Sequence, residues 1–227
     1  MTERVRAMLA ALAFAGLAGC AMLGDLPEAV SGPATGSAVQ QAQEAMCRGP
    51  QQGEVQRMKE LADEEAEGRA GKSWSGQQLA AGVPPEAVEL LTDALAVVDR
   101  GGDPDKAEAL ILEAMRLEEA ALAPLAPARL TSAGMLANLY ARSDRFAEAI
   151  PLERYVVALD AQAYGPFYDG TVDHMMRLAI LEAQVGAVEA SKARYACARN
   201  AASALWGPDA PMLVRLDQAF RNLSRGG

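Results

Sequence analysis

Aromatic residues are scarce in this 227-residue chain: 5% of positions are Phe, Trp or Tyr, although 51% are hydrophobic. Strands favour β-branched and aromatic residues, and alanine is the best helix former, so an alanine-rich, aromatic-poor chain argues against a sheet-based core. Basic residues are also in deficit, 21 Lys and Arg against 30 Asp and Glu, for a net charge of -9. Phosphate backbones require clustered Lys and Arg, which argues against nucleic acid as a partner. There is one histidine, His174, and there are three cysteines, Cys20, Cys47 and Cys197. No Cys/His spacing suggests a metal site, no glycine motif cradles a phosphate, and Asp103, Asp105, Glu118 and Glu119 lack the spacing of a calcium loop. A nucleophile needs a base held nearby. Asp173 and His174 do not supply one, because sequence neighbours point to different sides of a helix. His174 is expected at a surface or interface, and the protein is expected to be neither an enzyme nor a cofactor carrier.

Long apolar runs are missing too. Ala7 to Leu17 is apolar over eleven residues, far short of the roughly 20 that cross a bilayer as a helix. Arg4 and Arg6 precede it and Leu17-Ala18-Gly19-Cys20 follows, the layout of a secretory leader. Leu-Ala-Gly-Cys resembles the lipobox of bacterial lipoproteins. That resemblance implies cleavage before Cys20, acylation of its thiol, and a mature N-terminus at Cys20. Losing Arg4, Arg6 and Glu3 with the leader takes the net charge from -9 to -10, so lipid rather than charge must hold the protein to a membrane. Each buried acyl CH₂ contributes about 0.8 kcal/mol. Ala21 and Met22 follow the cysteine, with no aspartate. By resemblance to sorting in enteric bacteria, this implies the outer membrane, facing the periplasm.

Gly24 to Gly36 is rich in Gly, Pro and small residues and reads as a flexible tether. About 20 such residues span roughly 25 Å. Ser37 to Cys47 and Glu54 to Arg69 have helical composition and are separated by Arg48-Gly49-Pro50. They are expected to be short helices packed on the first face of the downstream helical region, with Lys72 to Gly76 a loop and the acidic cluster Asp63, Glu64, Glu65 and Glu67 a solvated face. In an oxidising compartment Cys47 and Cys197 can pair. The bridge would join the N-terminal segment to the end of the protein. Two separate thiols is the alternative.

From Pro84 onward the sequence repeats with a period of 42. Tyr164-Gly165-Pro166 recurs as Trp206-Gly207-Pro208, and Pro166 falls on Pro124 one period earlier. A period of this size marks stacked helical hairpins. Small residues recur where two helices approach, at Leu95, Ala137 and Ala179 in the first helices and Ala107, Ala149 and Ser191 in the second. Large apolar residues fill between them: Val97, Leu139, Leu181, Leu117, Leu159, Leu122, Tyr164 and Trp206. Gly102, Asp144 and Gly186 suit left-handed helix ends. The second unit, with Leu136-Ala137, Tyr140, Asp144-Arg145-Phe146, Ala149 and Gly165-Pro166, resembles the tetratricopeptide repeat in its 42-residue kinesin-light-chain form. Pro104, Glu153 and Glu182 depart from that pattern. The resemblance covers about 140 residues and implies an all-α, right-handed solenoid of antiparallel helix pairs with short N-terminal helices. The expected division is a leader at 1–19, a lipidated tether at 20–37, an N-terminal helical segment at 38–83 and a repeat domain at 84–224 with a C-terminal capping helix.

The family binds peptides or partner helices in a groove lined by the first helix of each unit. Carried onto this sequence, the lining is Glu89, Thr92, Ala96 and Arg100, then Thr131, Gly134, Asn138 and Arg142, then Asp173, Met176, Ile180 and Gln184, with Arg177 nearby. Arg100 and Arg142 lie one repeat apart and are expected to align along the groove. Arginine binds carboxylates bidentately, which points to an acidic or C-terminal peptide segment as ligand. The competing reading is a solvated face of i,i+4 contacts. Three functions are compatible with this: an envelope adaptor, a pilotin- or chaperone-like escort of an outer-membrane subunit, and, least favoured, an enzyme of cell-wall turnover.

Overall fold

The computed structural model describes residues 26–57, 60 and 82–225. The expected leader at 1–19, Cys20, the first part of the tether and residues 61–81, including the Lys72 to Gly76 loop, lie outside them. Among the described residues the regular structure is helical and contains no strand. None of these helices is long and apolar enough to cross a membrane.

The expected flexible tether is corrected from Leu26 onward. Helix α1 covers Glu28–Ser31 and α2 covers Pro33–Arg48. Proline and glycine suggested a linker, but Pro33 sits in the first turn of α2, where its missing N–H is no loss and its fixed φ already suits a helix. The Thr35 hydroxyl donates to the Ala29 carbonyl at 2.7 Å, and Val30 and Thr35 are buried. Val39, Ala42 and Met46 then form a buried stripe at i, i+3 and i+7.

Three hairpins follow. The first pairs α3 (Pro85–Asp99) with α4 (Pro104–Ala121), the second α5 (Leu130–Arg142) with α6 (Phe146–Tyr164), and the third α7 (Asp169–Gln184) with α8 (Val188–Trp206). Helix α9 (Pro211–Arg225) packs last, against α7 and α8. The second helices begin at Pro104, Phe146 and Val188, 42 residues apart. The small residues Ala107, Ala149 and Ser191 are completely buried, as close helix approach requires. The Ser191 hydroxyl donates to the Ala179 carbonyl across that contact at 2.6 Å. Within the turns the left-handed positions are Gly101 (φ 64°), Asp144 (φ 57°) and Gly186 (φ 81°). The first turn therefore uses Gly101 and not the expected Gly102. Leu95 departs as well: the expected close-approach position is 51% exposed, because the buried stripe of α3 runs through Ala87, Leu91 and Ala94 and leaves Leu95 outside it.

Helix α6 is the centre of the molecule. Leu152, Tyr155, Val156, Val157, Ala158 and Leu159 are all buried in it. It joins one core cluster, shared with α3 to α5, to a second shared with α2 and α7 to α9. The N-terminal helix does not pack on the first hairpin as expected. It lies against α6 and α8 of the second and third hairpins, because its buried stripe meets the apolar face that Val157, Ala158, Ala198 and Ala201 leave uncovered. That placement brings Cys47 beside Cys197, and the two form a disulfide with Cα atoms 4.2 Å apart. The Asn200 amide adds bonds to the Met46 and Cys47 carbonyls at 3.1 and 3.4 Å.

Candidate functional site

Two arrangements of side chains stand out from the packed body. The first is an open cleft of about 370 Å³ between the first and second hairpins. One wall is the end of α3, with Leu95, Val98 and Asp99, continued by the side-chain-free turn Gly101-Gly102 and by Pro104. The opposite wall is the stripe Met135, Asn138, Leu139 and Arg142 of α5. These positions, spaced three and four apart, share one face of a helix. The remaining face carries Ser132, Ala133, Leu136, Ala137 and Tyr140 into the core. Buried Ile111 closes the floor. The cleft thus has an apolar base and a polar rim of Asn138, Arg142 and Asp99.

Of the residues expected to line a groove, Asn138 and Arg142 meet at this cleft. Asn138 is exposed and Arg142 is exposed beside it at the end of α5. No ion pair engages Arg142 among the described residues. Arg100 is exposed at the end of α3 but does not line the cleft, so the expected alignment of Arg100 with Arg142 does not bring both to one opening. Gln184 is exposed as the last residue of α7, and Glu89, Thr92 and Thr131 are exposed elsewhere on the first helices. Ala96, Gly134, Asp173 and Ile180 are half-buried. Met176 is a correction: it is completely buried in the second core cluster and cannot line a groove.

The second arrangement is ionic and lies between α6 and α7. Glu153 and Asp160, two turns apart on α6, are 1% and 2% exposed. His174 of α7 reaches both, with Nδ1 2.7 Å from Glu153 Oε1 and Nε2 3.7 Å from Asp160 Oδ2. Arg177 completes the group, 3.6 Å from Glu153 Oε2. Arg177 is thereby paired with a buried carboxylate of α6 while its side chain stays partly exposed. Burial pushes the Asp160 carboxyl up to about 6. Burial also pulls His174 down, but the hydrogen bond with Glu153 and the charges of Glu153 and Asp160 outweigh it and hold the imidazole above its ordinary value. Sequence reading missed this group. The available signal was Glu153 itself, a carboxylate at a repeat position where an apolar residue was expected. The same signal at Glu182 marks a further buried carboxylate, held by Arg154 and Arg194 at 2.9 Å each.

No protein-family model matches the sequence, and no curated protein sequence matches it significantly. The residues and their geometry therefore carry the functional reading.

The cleft and the ionic group differ in what they can do. The ionic group buries its two carboxylates, Glu153 and Asp160, while Arg177 reaches the surface. Among the described residues no three His, Cys, Asp or Glu side chains are placed to hold a metal. The cleft is open, apolar at its base and offers an arginine and an amide at its edge. It combines apolar lining with a few convergent polar groups, as ligand sites do.

Proposed function

We propose that the protein is a lipid-anchored periplasmic adaptor that docks a protein partner through its helical hairpins. In this reading Cys20 carries the lipid, the outer membrane holds the anchor, and the hairpins form a right-handed, tetratricopeptide-like solenoid whose first helices line the docking groove. The observation that supports it most is the cleft in which Asn138 and Arg142, the latter without an ion pair among the described residues, rim an apolar base. A guanidinium without an internal carboxylate is a ready partner for an acidic side chain or a terminal carboxylate of a partner, and Asn138 can hold a peptide backbone.

Crosslinking in intact cells, followed by mass spectrometry, identifies the partner. Pull-down with Arg142→Glu then tests the site: capture should fall at least tenfold, and undiminished capture would overturn the assignment. A complex that persists at fixed stoichiometry fits the adaptor, whereas one seen only during biogenesis fits an escort. Metabolic labelling with palmitate should mark the protein and be lost in Cys20→Ala; unlabelled wild-type protein would remove the anchor from the reading.

A further inference from the structure

A second opening, of about 440 Å³, lies at one end of the third hairpin, where α7 begins, α8 ends and α9 begins. Asp169, Gly170 and Asp173 of α7 form one wall, Trp206 of α8 another, and Ala210 and Pro211 a third. The Trp206 indole N–H donates to Asp169 Oδ1 at 3.0 Å, which holds the ring beside that carboxylate. Trp206 is half-buried, and among the described residues no other ring and no cation lies over it. One period earlier Tyr164 stands at this position, and its ring packs on Tyr168 with centroids 4.6 Å apart. A step of 42 carries Tyr168 onto Ala210, which brings no ring to the indole.

The charge around this opening is negative. Asp169 and Asp173 lie four residues apart and share a face of α7. Neither enters an ion pair among the described residues, although Asp173 is half-buried. Asp160 stands behind Gly170, its Oδ2 3.1 Å from where a side chain on that glycine would begin, and its Oδ1 has no hydrogen-bond partner. Burial, and after it the charges of Glu153 and Asp173, hold the Asp160 carboxyl up against the pull of His174. The helix dipole accounts for Asp169, in the first turn of α7, but it fades within that turn and gives no reason for Asp173. Nor does the repeat, which has Pro127 and Thr131 at these two places one period earlier.

We infer that this opening is a pocket for an arginine side chain of a partner protein, with its guanidinium stacked on Trp206 and paired with Asp169 and Asp173. Tryptophan has the most favourable face for a cation. A guanidinium is planar and always charged, and it can stack and bind carboxylates at once, which the point charge of lysine cannot. The indole, Ala210 and Pro211 suit the apolar stem of such a side chain. The pocket lies on the third hairpin and α9, apart from the cleft between the first and second hairpins. This inference rests on the docking reading for its partner but not for cation binding, and the test separates the two.

The sequence has two tryptophans, Trp74 and Trp206, so Trp74→Phe leaves one indole N–H signal in the NMR spectrum of the full-length protein. N-acetylargininamide should shift that signal saturably, with an affinity in the roughly millimolar range. N-acetylcitrullinamide has nearly the same shape without the charge and should bind about fivefold more weakly. Added salt should weaken the arginine probe. Asp169→Asn with Asp173→Asn keeps the side-chain shapes and an acceptor for Trp206, and should weaken the arginine probe about fivefold. Asp173→Asn alone, expected to cost about twofold, serves if the double variant does not fold. An unshifted indole, equal affinity for the citrulline probe, or undiminished binding to the folded variants would overturn the pocket. Tighter binding of choline than of the arginine probe would overturn the guanidinium occupant in favour of a free quaternary amine. The double variant should also lower capture of the crosslinked partner. Capture lowered by Arg142→Glu but not by the double variant would overturn the partner's arginine while leaving the cleft as the docking site.

Discussion

The two junctions between successive hairpins come from one repeat and are completed in opposite ways. Between the first and second, Val98, Pro104 and the Gly101-Gly102 turn leave an opening rimmed by Asn138 and Arg142. Between the second and third, α6 and α7 close on each other around Glu153, Asp160, His174 and Arg177. The comparison teaches that a repeat tolerates departures of two kinds. Small or absent side chains at a junction leave a surface open, as at Gly101-Gly102. A charge placed where apolar packing belongs is kept only if neighbouring elements supply its counter-charges, since an uncompensated buried ion is strongly destabilising.

The largest expected effect comes from the disulfide, which fastens α2 across the second and third hairpins and leaves the first untouched. Separated by 150 residues, Cys47 and Cys197 constrain a long loop of the unfolded protein. Cys47→Ser with Cys197→Ser should cost about 4 kcal/mol, read by denaturant unfolding. Hydrogen exchange should show protection falling more in α6 to α8 than in α3; a uniform loss would erase the distinction between the halves.

Next in size is Glu153→Ala, which removes the shared partner of His174 and Arg177 and is expected to cost about 3 kcal/mol. Thermal unfolding gives the measurement, and a loss below about 1 kcal/mol would mean that the ionic group contributes nothing particular to that junction.

Asp160→Asn sharpens the same point through pH. The folded-state value of Asp160, about 6, lies above that of an ordinary carboxyl. The folded protein therefore holds a proton that the unfolded state has released, and stability falls as pH rises from about 4 to about 6. His174, raised in the fold, adds stability that is complete below its unfolded value near 6.5 and lost as pH rises through the raised one. Asp160→Asn should flatten the slope between about pH 4 and 6 and add about 1–2 kcal/mol at about pH 8. An unchanged pH profile would show that Asp160 does not titrate in that window.

The smallest effect belongs to the open junction. Leu95→Ala, which trims an exposed wall of the opening, should change stability by less than about 0.5 kcal/mol, measured as the melting temperature. A loss above about 1 kcal/mol would mean that Leu95 supports the core rather than only the rim of the opening.

Much of this architecture was legible because it is local. The helices, the 42-residue period, the buried Ala107, Ala149 and Ser191, and the left-handed Asp144 and Gly186 all follow from residue spacing and backbone preference. The N-terminal region was not legible. Proline and glycine between Gly24 and Gly36 look the same in a linker and at the start of a helix, and what decides between them is the surface that Val30, Thr35 and Val39 meet. Of the candidate groove, Asn138 and Arg142 were placed by the resemblance to the tetratricopeptide repeat, and both line the cleft. The fates of Met176 and Arg177 were not, because they depend on what the facing helices carry.

The sequence by itself determined the helical hairpins and their period, since helix propensity and apolar spacing act within a few residues of one another. Tertiary structure alone decided that α2 reaches α8 to bring Cys47 to Cys197, that Glu153 and Asp160 share His174, and that Val98 and Pro104 leave an open junction. Each of these depends on which surfaces meet across long sequence separations, and residues so far apart acquire a common environment only when packing puts them there.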